Sequence, residues 1–318
     1  MIDALAVTLP GAEELVEEFG REGLPQRIVR SIFGGSLHAG EFENRGFLGY
    51  DESARILNDA GEPVGWVGIG GQRDTIHVSM MGAGCALVRD WHRVASSLAV
   101  YSAKITRCDL AYDDYTGEHF SVAHEIARVQ AGERVRARGA GAPPKNWWMQ
   151  HLDTGVGDSL YAGTRGDKLL NIYEKGKQQG DPTSPWVRVE VRFWNKKREI
   201  PYGVLTAPLG YLRAAYNVCE RVPGDSCERI RTIAATVECN AKAWVQWMGR
   251  QVGGSLDLLI QSLGLDQAMH YVTEHIARRS TPVRFKAKAP TAEALRSYIR
   301  EGLSDARSRD QVGALCPA

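Results

Sequence analysis

The sequence predicts an α+β protein: an antiparallel sheet with one open, chemically equipped face, followed by a helical C-terminal region. Three observations predict it. In Ile105–Asp114 (ITRCDLAYDD) and twice within Asp158–Phe193, polar residues fall at alternate positions of strand-like runs, and alternate side chains of a strand share a face. That rule groups Asp109 with Asp113, Asn171 with Tyr173 and Lys175, and Arg188 with Glu190 and Arg192. The opposite faces are apolar, with Leu110 and Tyr112, Leu170 and Ile172, and Val187, Val189, Val191 and Phe193.

Taken in order, the first 35 residues read as an acidic, partly helical lead-in, with Leu15, Val16 and Phe19 at helical spacing. Between Gly46 and Val88, short β-prone runs (GFLGY, ARILND, PVGWVGIG, TIHVSMM) separated by Gly, Asn and Asp predict a small antiparallel sheet. Arg89–Tyr101 predicts a helix leading into the acidic strand at 105–114. Ser121 is placed to cap a second helix reaching Gln130, ahead of a Gly/Arg/Pro-rich loop at 131–145. Strands near 158–163 and 168–175 form a hairpin. A loop, GKQQGDPTSP, separates them from a strand at 186–194. Beyond Pro208 the pattern turns helical: Ile230, Ile233, Ala234, Val237, Ala241, Trp244, Val245 and Met248 recur at threes and fours. Shorter helices are expected near 255–263, 266–278 and 291–302. The expected division is an acidic lead-in over 1–40, an α+β domain over 41–205, and a helical, C-terminally basic region over 206–318.

Composition excludes several classes. With 43% apolar and 24% charged residues in 318, the chain has the make-up of a soluble globular protein with a sizeable core. No apolar run approaches the ~20 residues of a membrane helix, and the N-terminus lacks the pattern of a signal peptide, so no membrane association is expected. The six cysteines show no CxxC and read as reduced thiols of a cytoplasmic protein in a bacterial host. The eight histidines contain no HxH pair, and His270 and His275 share a helical face poorly, so any metal must rest on carboxylates. Gly65–Gly71 (GWVGIGG) lacks the Lys-Ser/Thr of a Walker loop, and no sugar cleft with aromatic platforms accompanies the acids. Charge is uneven: residues 1–60 carry five Lys/Arg against eleven Asp/Glu, whereas 278–300 carry seven basic residues against Glu293 alone. That asymmetry suggests a nucleic-acid contact at the basic end, through residues such as Arg284, Lys286 and Lys288, or simply a solvated tail.

The polar residues suit phosphodiester chemistry. A tyrosine phenol can form a covalent phosphoester, provided a cation or metal offsets a pKa near 10. Asp109, Asp113 and Glu190 offer hard oxygen ligands for Mg²⁺ or Mn²⁺. Tyr173 sits on a third strand beside Lys175, and Arg188 and Arg192 are placed to grip phosphate. Asp114 replaces Asp113 if the strand ends or bulges there. Trp147 and Trp148, with Lys145 beside them and Arg134, Arg136 and Arg138 upstream, are placed to stack on single-stranded DNA or to anchor a loop. Taken singly, each feature has a structural reading: a packed strand tyrosine, turn acids, an Arg-Glu-Arg salt-bridge ladder.

DLAYDD, YAGTR, NIYEKGKQ and GDPTSPWVRVEVRF, in that order, resemble the replication initiation factors of filamentous phages and rolling-circle plasmids. The resemblance covers roughly Met80–Arg198. It implies an initiator that nicks one strand of origin DNA, double- or single-stranded around the site. It further implies that the protein stays linked to the 5′ end through tyrosine and leaves a 3′-hydroxyl for host helicase and polymerase. Carried over by position, Tyr173 of NIYEK is the nucleophile and Tyr161 of LYAGTR the runner-up, with Arg165 of YAGTR among the DNA contacts. A non-catalytic DNA-binding protein on the same scaffold and a conjugative relaxase remain as alternatives.

Overall fold

The computed structural model describes residues 1–72, 74–137, 144–151, 155–225, 227, 230 and 252–276. The chain divides into two compact units, Met1–Thr232 and Ile233–Ala318. The first is built on one ten-stranded sheet in which every neighbouring pair is antiparallel.

Its first half comprises β1 (Ile2–Pro10), α1 (Ala12–Phe19), α2 (Leu24–Phe33), β2 (His38–Ala39), β3 (Glu52–Leu57), β4 (Pro63–Ile69) and β5 (Thr75–Met80). Helices α3 (Gly82–Leu87) and α4 (Trp91–Val100) lead to the second half: β6 (Lys104–Asp114), α5 (Val122–Gln130), β7 (Asn146–Met149), β8 (Ser159–Thr164), β9 (Lys168–Tyr173), α6 (Lys175–Gln178) and β10 (Val187–Trp194). The spatial order is β2-β3-β4-β5-β1-β6-β10-β9-β8-β7. Each half therefore opens with a strand and a helical stretch and goes on to four further strands, with α6 before the last of them in the second half. Its first strand pairs with its own last, and the two first strands pair with each other across the centre. The chain thus repeats one motif about an approximate twofold axis, a relation that the unlike sequences of the halves do not reveal.

Local chemistry fixes helix starts, at Ser121 as expected and at Asp90 besides. Asp90 Oδ1 accepts from Arg93 N at 3.0 Å to start α4, and Ser121 Oγ accepts from His124 N at 3.4 Å to start α5. The apolar side of the sheet, including Leu5, Val7, Val78, Leu110, Ile172, Val189 and Phe193, is continuous with Ile28 and Ile32 of α2 and Val94 and Leu98 of α4 in one core cluster.

The expected acidic lead-in over 1–40 is corrected by β1. Ile2–Pro10 pairs with both β5 and β6 in the middle of the sheet, its open side carrying the small Ala4 and Ala6. The boundary expected at 205 also gives way. α7 (Gly203–Thr206) is followed by α8 (Pro208–Arg213), which packs on β6, and the unit runs on to Thr232. In the second unit, helix α9 (252–263) is followed by α10 (Leu265–Tyr271) and a π-helical turn, Val272–Ile276, matching the helices expected near 255–263 and 266–278. The long amphipathic helix expected over 230–248 and the helix near 291–302 lie outside the described residues, as do Arg284, Lys286 and Lys288. Among the described residues no helix is long and apolar enough to cross a membrane, and Cys85, Cys108, Cys219 and Cys227 are free thiols.

Candidate nicking site

Residues directly opposite in an antiparallel pair share a face, so the register of β6, β10 and β9 assembles the open side of the sheet in ranks. The first rank is Asp113–Arg188–Tyr173, the second Ala111–Glu190–Asn171, and the third Asp109–Arg192–Leu169. β8 and β7 extend the second rank with Tyr161 and Trp147. The alternation seen in the sequence therefore does put the acids, arginines and Tyr173 on one surface.

In the first rank, both Asp113 oxygens are taken. Arg188 Nε donates to Oδ1 at 2.7 Å and Nη2 to Oδ2 at 2.9 Å, and Trp186 Nε1 adds a bond to Oδ1 at 2.7 Å. Arg188 Nη1 donates to Asp3 Oδ1 on β1 at 2.8 Å. Burial works against the Arg188 charge, but Asp113 and Asp3 more than offset it and hold the guanidinium above its usual pKa. Across the rank Tyr173 is 8% exposed. Burial is the main cause of a phenol pKa pushed up to about 12, with Glu190 adding to it and the charge and hydrogen bond of Arg188 opposing it.

The third and second ranks hold the other carboxylates. Arg107 donates to Asp109 from Nε at 2.9 Å and Nη2 at 2.5 Å. Arg192 Nε donates to Glu190 Oε1 at 2.6 Å and lies 3.8 Å from Asp109 Oδ2. Burial pushes the Asp109 carboxyl up to about 6, against the hydrogen bond and charge of Arg107. Asn171, 6% exposed, has an Oδ1 with no hydrogen-bond partner. A buried acceptor without a donor is costly, and it points to an absent cation or donor.

The structure brings together most, but not all, of the residues singled out. Asp109 and Asp113 lie four residues apart on one strand, roughly 13 Å, too far to share an ion. Among the described residues no three His, Cys, Asp or Glu side chains converge. Of the expected trio, Asp113 is engaged by Arg188, whereas Asp109 and Glu190 stand in neighbouring ranks with Asn171 directly opposite Glu190. The carboxylate of the alternative, Asp114, caps the following turn, accepting from Gly117, His119 and Phe120 N–H groups at 2.8–3.1 Å.

Lys175 does not continue the strand. β9 ends at Tyr173, and Lys175 opens α6, with its Nζ 3.0 Å from Gln178 Oε1 and 5.7 Å from the Tyr173 ring centroid. Trp147 and Trp148 point to opposite sides of the edge strand β7, since Trp147 faces Tyr161 and Trp148 faces Leu160. Only Trp147 belongs to the polar surface, stacked on Tyr161 at 5.3 Å and 9°. Arg165 is exposed in the β8–β9 turn, at the opposite end of β9 from Tyr173. Sequence reasoning missed Asp3, Trp186 and Arg107 and passed over Asn171. Asp3 carried a signal, because it alternates with the apolar Ile2 and precedes the Leu5-Val7-Leu9 pattern. Only the pairing of β1 with β6 gives that signal meaning.

No curated protein matches the chain. Among solved structures, it is similar to a rolling-circle replication initiator protein from Geobacillus stearothermophilus, at 22% identity and a TM-score of 0.47, covering 68% of this chain and 84% of that one. The family described as replication initiation factor matches residues 103–276. That span holds every rank described above and more than half of the chain, and the protein belongs to the replication initiation factor family.

Proposed function

We propose that the protein initiates rolling-circle replication by nicking one strand of origin DNA with Tyr173 and rejoining it later. The observation that carries this reading is the rank Asp113–Arg188–Tyr173 set beside Glu190 and the unpartnered Asn171 Oδ1. Tyr173 Oη attacks the scissile phosphorus, the bond to the 3′ oxygen breaks, and that oxygen leaves as a hydroxyl. The product is a 5′-phosphotyrosine, which a returning 3′-hydroxyl reverses.

Arg188, fixed by two carboxylates, holds its guanidinium beside the phenol, where it opposes the rise in pKa and meets charge on the phosphate. Lys175, over the Tyr173 ring, adds positive charge to the same end. Arg192 is 31% exposed at its side chain, so its guanidinium is open to a DNA phosphate beside Glu190. Asp109, Glu190 and Asn171 suit a hard, oxygen-coordinated Mg²⁺ or Mn²⁺, which when bound polarises phosphate oxygens. Trp147 stacked on Tyr161 offers a platform to an unpaired base beside the site, which favours Tyr173 over Tyr161 as nucleophile. A 3′-hydroxyl left by the nick suits a host polymerase and helicase as downstream partners.

The test uses supercoiled DNA carrying the cognate origin, Mg²⁺ or Mn²⁺, and detergent denaturation. Wild type, Tyr173→Phe and Tyr161→Phe are compared for nicked circles and for protein on a 5′ end. An adduct lost only in Tyr173→Phe is the expected result. Loss only in Tyr161→Phe moves the nucleophile by one strand. A folded protein that binds this DNA but neither nicks nor links to it is a DNA-binding protein without catalysis.

A further inference from the structure

The end of the sheet remote from Tyr173 carries further cations and an indole. They reach one surface through a β-bulge. The register of β6 on β1 slips between Arg107 and Ile105, so that Ala6 faces Arg107 and Thr8 faces Lys104. A bulge adds one residue and re-aims the side chains beyond it. Lys104 and Arg107, three residues apart, consequently share the open face with Asp109.

Opposite Arg107 stands Trp194, the last residue of β10, with the Arg107 guanidinium 5.3 Å from its ring centroid. Trp194 is half-buried on the open face, whereas its neighbour Phe193 is 1% exposed in the core. The chain then turns through Asn195–Lys197, which leaves Lys196 and Lys197 in solvent. Trp194 N donates to Asp167 O at 2.9 Å, tying this end of β10 to the β8–β9 turn that carries the exposed Arg165. The nearby acid, Asp167, is engaged by Arg198 and lies 3.7 Å from Lys197. Arg188 and Trp194 are six residues apart on β10, about 20 Å. That distance equals about six base steps of duplex and fewer nucleotides of a more extended single strand.

We infer that Lys104, Arg107, Trp194 and Lys196 form a second contact for the nicked strand, gripping phosphates and stacking an unpaired base several nucleotides from the scissile bond. The inference rests on the nicking reading for the position of that bond. The surface is continuous with the site along β6 and β10, and the regularly spaced negative charge of a nucleic-acid strand complements it. An indole held beside cations takes any base without reading sequence, so the contact fixes how much strand is held rather than which bases it contains.

Fluorescence anisotropy with labelled single-stranded origin oligonucleotides, lengthened stepwise on either side of the nick, tests it. Wild type is compared with a Lys104→Ala/Lys196→Ala double variant and with Trp194→Leu. Both lysines are exposed, so the fold tolerates their loss. For strands long enough to reach the patch on one side, the double variant should bind about ten-fold more weakly, with a log-log salt slope shallower by about 1.4. Strands that stop short should bind both proteins equally, and Trp194→Leu should weaken the long strands only. Equal affinity at every length, or equal weakening at every length, overturns the inference, as does a loss seen only when the extension is duplex. A wild type that nicks while the variants bind long strands normally sinks this inference alone. A wild type that neither nicks nor binds a strand of any length sinks the nicking reading as well.

Discussion

Removing either partner of the Arg188–Asp113 pair should cost the fold heavily, because each would leave the other charge buried. Asp113 is 3% exposed and Arg188 11% at their side chains, and two parallel bonds of 2.7 and 2.9 Å join them. Breaking a buried pair from one side costs about 3–5 kcal/mol, since the surviving charge keeps its desolvation penalty without its partner. Arg188→Ala strands both Asp113 and Asp3, so it belongs at the upper end. Asp113→Ala leaves Arg188 the Asp3 contact and belongs at the lower end. For a unit of this size each kcal/mol shifts Tm by about 2–4 °C, giving falls of roughly 6–20 °C. The assay is a double-mutant cycle, with urea and thermal unfolding of the two single variants and the double. The double variant should lose at least about 1.5 kcal/mol less than the sum of the singles, because of the charges stranded by the single changes only Asp3 remains. Mn²⁺ binding by Asp113→Ala at a temperature where it is folded should match wild type. Additivity within about 0.5 kcal/mol would refute the pairing. Loss of Mn²⁺ binding with little loss of stability would return Asp113 to the ligand set.

Other expectations follow from single residues. Burial pushes the Asp109 carboxyl up to about 6, so its ionised form is less favourable in the folded protein than in the unfolded chain. A carboxyl raised in this way destabilises at pH 7 and is relieved as pH falls through about 6 toward its unfolded value. In chelator, Asp109→Asn should therefore be more stable than wild type by roughly 3 kcal/mol at pH 7, the gap closing near pH 4, as urea unfolding at both pH values would show. The same variant should lose Mn²⁺ affinity, and wild-type affinity should fall below about pH 6 as the proton competes, measurable by calorimetric titration. Leu48 is 67% exposed and sits at φ 52 in the two-residue turn between Phe47 and Tyr50. Leu48→Asn should raise stability by about 1 kcal/mol in the same urea assay, because asparagine tolerates the left-handed region that leucine does not. Gly163, at φ +118, would place an added Cβ against the Lys168 carbonyl oxygen and the Tyr216 hydroxyl. Gly163→Ala should lower Tm by at least several degrees in a melting scan, and an unchanged Tm would mean that the β8–β9 hairpin gives way easily.

The faces of the strands were legible in the amino-acid order alone. Period-two alternation is a property of the strand alone, so Asp109, Asp113, Glu190, Arg188 and Tyr173 could be put on a common surface before any pairing was known. Caps are equally local, and Ser121 marked the start of α5 correctly. Which of those residues stand opposite one another depends on how the strands pair. Register is a relation between strands distant in sequence, and it gives Asp113 to Arg188 and brings Asn171 beside Glu190. The strand β1 escaped notice because its open side is alanine and its role depends on β5 and β6, some seventy and one hundred residues away. Lys175 left the expected face because nothing local announces that β9 stops at Tyr173, where the chain instead turns into α6. Alternation tells a residue which side it is on, and only hydrogen-bonded pairing tells it whom it meets there.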